Sequence, residues 1–213
     1  MNNGGDAAEQ VVRLSLEGFE VAARLSGSAA KNIALLLVSV LKQEQKTKGK
    51  ARLISLLDAV LDMKEALRRQ FTNRKHLSEQ IDLIDKAIAL SKENIDDLEA
   101  IREIGQGWVA EETLSIAIYC SLKYSDDFDK AIIASVNHSG DSDSTGAVTG
   151  NILGAYLGLK SIPQKYLDNL ELKDVILEIA DDLYNDCKIS EYGSYHDEIW
   201  EQKYIYKTYK RTK

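Results

Sequence analysis

Residues 136–159 read VNHSGDSDSTGAVTGNILGAYLGL, a polar loop running into a small-residue helix pattern. Two carboxylates, Asp141 and Asp143, stand two residues apart, with hydroxyls between and after them. In an extended turn such residues project to the same side. Together with the Ser144 hydroxyl they form a hard, all-oxygen group suited to Mg²⁺ or Ca²⁺. The same string equally suits an Asx-turn and a helix N-cap, because Asp and Ser favour both. An EF-hand is excluded: no Glu stands twelve residues into a loop, and the Gly is misplaced. Beyond the loop the spacing predicts a helix over 144–159. Within it Gly146, Gly150, Gly154 and Gly158 recur every four residues down one face. Each glycine costs a helix interior roughly 1 kcal/mol relative to Ala, so four in register call for compensation. Close helix packing accounts for the last three, while Gly146 opens space for an anion beside the loop.

Helices are also predicted on both sides of this stretch. Apolar periodicity places them at about 77–94, 96–104, 108–124, 126–137 and 170–186, with a short turn opened by Pro163. Upstream, Val11 to Leu25, Ser28 to Leu41 and Leu53 to Phe71 read as three more helices, with Ser28 as an N-cap. The fold class is therefore all-α. A single Pro and three Phe in 213 residues argue against a turn-rich β-sandwich. Two cysteines, Cys120 and Cys187, are too few for a disulfide framework and fit a reducing compartment. The first ten residues lack a secretory pattern, and the apolar run Ile33 to Leu41 is half a bilayer span. Cytoplasmic localisation without a membrane partner is the expectation. The net charge of −7 is uneven: residues 1–57 hold eight Lys/Arg against five Asp/Glu, leaving the remainder acidic.

Several residues further along the chain extend the pattern. The stretch Gly107 to Glu112 (GWVAEE), Leu114 to Cys120 (LSIAIYC), Asp126-Asp127-Phe128, residues 136–159 and Ile162-Pro163 follow one another in fixed order. In that order they resemble the C-terminal part of the ADP-ribosylglycohydrolase family, over about 78–213. The resemblance implies a helical hydrolase that uses Mg²⁺ to cleave ADP-ribose from modified side chains. It also implies that Asp141, Asp143 and Ser144 are metal ligands, with Ser standing where Thr is usual. The family's other ligands lie in a Thr-Asp-Asp motif near its N-terminus, and residues 1–106 contain none. The only paired acids there, Asp96-Asp97, come too late in the chain. Half of a dinuclear site is thus absent from the sequence, and no catalytic residue is assigned.

Residues 4–57 resemble the N-terminal part of the PcfB family of conjugation-associated proteins, most clearly at Ser28 to Asn32 and Lys46 to Lys50. The reading is of two partial pieces, a helical segment with a basic linker over 1–76 and a partial glycohydrolase-like domain over 77–213. The expected function is an ADP-ribosylglycohydrolase-like hydrolase acting on an ADP-ribosylated substrate. The alternative is a non-enzymatic accessory protein of a conjugative mobile element, bound to transfer machinery or to a second copy. Lys42 to Arg52, with Arg68, Arg69, Arg74 and Lys75, would either touch DNA phosphates or form a solvated face. His138 reads as a hydrogen-bond partner of the acidic loop or as a structural residue; His76 and His196 have no partner at metal spacing. Trp108 and Trp200 read as packing residues, and both cysteines as inert thiols. Glu111 and Glu112 read as acid/base groups or as helix N-terminal charges. The tyrosines between Tyr192 and Tyr209 read as a stacking surface or as packing.

Overall fold

The computed structural model describes residues 55–72, 75–184, 198 and 201–206. The helices read in residues 1–54, most of the PcfB-like stretch, the basic run Lys42 to Arg52, Arg74, Cys187, His196, Trp200 and most of the tyrosine-rich tail lie outside them. Among the described residues the fold is helical, without a strand. Eight α-helices follow in order: α1 Leu56–Gln70, α2 Leu77–Leu90, α3 Asp97–Ile104, α4 Ala110–Lys123, α5 Phe128–Val136, α6 Ser142–Leu157, α7 Gln164–Asp168 and α8 Lys173–Tyr184. A single 3₁₀ turn, Leu159–Ser161, and a π-helical turn, Glu201–Ile205, complete them. None of these is long and apolar enough to cross a membrane.

α4 is the axis of the fold. Every residue from Leu114 to Ser121 is buried, as expected of a helix that is apolar nearly all round. It lies against α1, α2, α3, α5 and α6, and α5 and α6 also pack on each other. α1 contributes Leu56, Ala59, Val60, Met63 and Leu67 to the same core, although it falls before the boundary read at residue 76. Its start is fixed by Ser55, whose hydroxyl accepts from the Asp58 amide at 3.1 Å, satisfying one of the free N–H groups at a helix start. Pro163 sits at the N-cap of α7, in line with the sequence.

Two polar staples hold the helices in register. Asp97, the first residue of α3, accepts from Tyr119 Oη at 2.7 Å and Tyr124 Oη at 2.8 Å. The Lys123 ammonium adds a contact at 2.8 Å and donates to the Ile95 carbonyl at 2.7 Å. Burial alone would raise the Asp97 pKa, but the bonds from Lys123, Tyr119 and Tyr124 outweigh it and hold the carboxyl below its usual range. Burial, reinforced by Asp97, pushes Tyr124 up to about 12. Its neighbour Asp96 caps α3 by accepting from the Leu98 amide at 3.0 Å. The pair Asp96-Asp97 is therefore committed to helix start and staple. The second staple joins α5 to α7: Asp129 accepts from Tyr166 Oη at 2.5 Å and pairs with Lys165 at 2.5 Å.

Candidate functional site

The loop between α5 and α6 carries the site. Asp141 is the N-cap of α6, and its Oδ1 accepts from the Ser144 amide at 3.4 Å. The capping reading of the sequence is thus realised, and α6 begins two residues earlier than the periodicity placed it. Asp143 is exposed in the first turn, and its carboxyl lies within hydrogen-bonding reach of Asp141. That contact first, then the bonds from Ser144, holds the Asp141 carboxyl below the usual carboxylate range. Asp141, Asp143 and Ser144 are therefore brought together at one helix start.

A second loop braces this one from below. Gln106 accepts the Asp141 amide through its carbonyl at 2.8 Å. The approach is so close that a Cβ at Gly140 would stand 1.8 Å from that carbonyl oxygen. Gly107 lies on the left-handed side of backbone space, φ 79°, where L side chains are strained. A Cβ there would come within 3.0 Å of Thr145 Cγ2 and 3.4 Å of the Asp141 carbonyl. Glu112, third residue of α4, reaches back to accept from the Gln106 and Gly107 amides, both at 3.0 Å. This resembles the back-reaching acid of a capping box. The sequence offered that signal, a Gly-x-Gly turn ahead of a helix with Glu at the third position. Read as a brace, it makes Glu112 a scaffold residue that holds the loop under Asp141.

His138 holds the loop from the other side. Its Nδ1 accepts from the Gly140 amide at 3.1 Å, so the proton sits on Nε2 and points to Thr145 Oγ1 at 2.9 Å. Thr145 in turn donates to the buried Ser135 carbonyl at 2.6 Å. Burial keeps the His138 pKa below its ordinary value. The imidazole is thus a neutral bracket for the acidic loop, the hydrogen-bond role anticipated for it.

Two expectations are corrected. Trp108 does not pack: it is 67% exposed, and its Nε1 donates only to the Gln106 side chain at 3.2 Å. The glycine stripe of α6 is reversed in its roles. Gly146 opens no anion space, since a Cβ there would meet Val136 Cγ1 at 2.5 Å. Gly150 has only an ordinary neighbour, Ile132 Cδ1 at 3.7 Å, and Gly154 has none within 4 Å. Gly158, φ 76°, ends the helix. Cys120 is buried and free, and burial raises its pKa, as an inert thiol requires.

The donors fit a small divalent cation in kind, being two carboxylates and a hydroxyl with outward access. Mg²⁺ is commonly held by one or two carboxylates with water and substrate phosphates completing the sphere. Among the described residues no group of three or more His, Cys, Asp and Glu comes together, so this chain's described part supplies two acids and no third.

The family model for ADP-ribosylglycohydrolase matches residues 6–192. The chain belongs to the ADP-ribosylglycohydrolase family. The match runs through the N-terminal stretch as well as the loop just described. Among curated relatives, the ADP-ribosylhydrolase ARH3 of Mus musculus is 28% identical over 123 residues, 53% of this chain and 32% of that protein. The ADP-ribosylarginine hydrolase Tri1 of Serratia proteamaculans is 34% identical over 82 residues, 38% of this chain and 22% of its own length. The ADP-ribosyl-(dinitrogen reductase) glycohydrolase of Rhodospirillum rubrum is 42% identical over 48 residues, 22% of this chain and 16% of its own. The aligned part thus spans a third or less of these three relatives. No solved structure matches the chain significantly.

Proposed function

We propose that this chain takes part in Mg²⁺-dependent hydrolysis of the glycosidic bond between ADP-ribose and a modified protein side chain. The observation that supports this most is the convergence of Asp141, Asp143 and Ser144 at the start of α6, in a chain of this family. These three residues would hold the ion. When bound, Mg²⁺ supplies positive charge that orients hydroxyls and water and offsets charge developing at the breaking bond.

The chain's own residues prepare that role. The Asp141 carboxyl lies below the usual carboxylate range, so its negative charge is available at neutral pH. The Gln106 carbonyl and His138 fix the loop's direction, so the donors need no ordering when a ligand arrives. Residues 1–106 hold no Thr-Asp-Asp string, so the reading is of one ion at this loop. The test is release of free ADP-ribose from a protein carrying ADP-ribosylarginine, with and without Mg²⁺. Release that falls at least tenfold with chelator and with Asp141→Asn/Asp143→Asn would support the reading; no release above that variant would end it.

A further inference from the structure

Trp108 lies 67% exposed on a turn whose backbone is fixed. Glu112 accepts from the Gln106 and Gly107 amides at 3.0 Å, and the Gln106 carbonyl takes the Asp141 amide at 2.8 Å. The indole is itself tethered by one edge, its Nε1 donating to Gln106 Oε1 at 3.2 Å. Val109 beside it is 51% exposed. An oriented indole left in water at such a place offers a large, flat apolar surface. Gly107 sets its distance from the acids: a Cβ there would lie 3.7 Å from Asp141 Cβ, and Trp108 is the next residue.

Position and charge narrow what that ring takes. In the function proposed above, on which this inference rests, the ion at Asp141 and Asp143 sits by the breaking bond. The group joined directly to that bond is the modified side chain, whereas the adenine stands two riboses and a diphosphate away. A ring one residue from the contact with Asp141 is therefore placed for the side chain. Residues 103–122 and 131–159, which carry the turn and the loop, hold Glu103, Glu111, Glu112, Asp141 and Asp143 and no Lys or Arg. Such a field favours a cation and opposes a diphosphate. A guanidinium is flat, cationic and weakly hydrated, and it stacks on aromatic faces. We propose that the Trp108 indole stacks on the guanidinium of the ADP-ribosylated arginine, a contact to the side chain of the substrate and not to its ADP-ribose.

Trp108 and Trp200 are the two tryptophans of the chain, so a Trp200→Phe chain reports Trp108 alone. With Mg²⁺ present, ADP-ribosylarginine mixed rapidly with that chain should change the indole emission before turnover, and free ADP-ribose should leave it unchanged. Trp108→Ala should raise KM for ADP-ribosylarginine about two- to fivefold, the range for a cation over an exposed ring. Its kcat and the inhibition constant of free ADP-ribose should stay as in the parent. Trp108→Phe keeps a ring face and should recover most of the loss. An equal emission change with free ADP-ribose overturns the proposal and assigns the ring to the adenine. So does a KM unmoved by Trp108→Ala, or an inhibition constant that rises with it, which marks a loop displaced as a whole. Unchanged emission in a chain that releases ADP-ribose with Mg²⁺ overturns the proposal and leaves the function standing. No release at all ends that function, and the proposal with it.

Discussion

Replacing Gly140 with Ala is the sharpest perturbation of the site that leaves every proposed ligand in place. The added methyl would stand 1.8 Å from the Gln106 carbonyl oxygen and 2.7 Å from its carbon, both backbone atoms that cannot rotate away. One of the two loops must move, and the first casualty is the 2.8 Å bond from the Asp141 amide to that carbonyl. Orphaning such a bond costs about 1–3 kcal/mol, and forcing an extra methyl into a packed contact costs about 1–3 kcal/mol more. The expected loss is about 2–6 kcal/mol, a fall in melting temperature of roughly 4–24 °C for a chain of this size. Gly154→Ala is the matched control, since no atom lies within 4 Å of its new methyl and helix propensity improves by up to about 1 kcal/mol. Thermal melts followed by circular dichroism at 222 nm compare the two. A Gly140→Ala chain that melts within about 2 °C of the parent would refute the stitched-loop geometry.

Gly150→Ala should also stabilise, by about 0.5–1 kcal/mol, because its neighbour sits at ordinary contact distance; denaturant titration reads this directly. Ser121 Oγ is buried without a hydrogen-bond partner, so Ser121→Ala should be neutral or raise stability by about 1 kcal/mol, and a loss above that would reveal a missed partner. Asp97→Ala strands two tyrosine hydroxyls and the Lys123 ammonium, costing about 2–4 kcal/mol, whereas Lys123→Met should cost less because both tyrosines keep their acceptor. His138 has a folded pKa below the unfolded value near 6.5, so the unfolded state binds more protons as pH falls. Its contribution is therefore complete above pH 6.5 and is lost as pH drops through the folded pKa; His138→Asn should flatten the melting-temperature profile across that window.

The helices were legible because periodicity reports burial, and in α4 the run from Leu114 to Ser121 is apolar enough to demand the centre of the fold. Their ends shifted by a few residues where local bonds decide: Asp141 caps its own helix, so α6 starts at Ser142. The site residues were legible as a string and by resemblance. Their support was not, since the brace runs from Glu112 through Gln106 to Asp141, and the joining bond links positions 35 residues apart in sequence. Nothing in one dimension shows that Gly140 is a glycine because a carbonyl from another loop occupies the space. The glycine stripe misled for a related reason: equal spacing suggested equal roles, but each position faces a different neighbour. Trp108 reads as a packing residue because tryptophan is on average highly buried; the turn that carries it is held by bonds from its backbone amides to Glu112 instead.

Binding of Mn²⁺, used as a paramagnetic stand-in for Mg²⁺, tests the central claim most directly. In nuclear magnetic resonance spectra of the labelled full-length chain, substoichiometric Mn²⁺ should broaden the amides of residues 140–146 and of Gln106 and Gly107 first. Excess Mg²⁺ should reverse the broadening, and Asp141→Asn/Asp143→Asn should abolish it with α4 resonances unmoved. Broadening centred elsewhere, or unaltered by the double substitution, would contradict the assignment of this loop as the family's metal site in this chain.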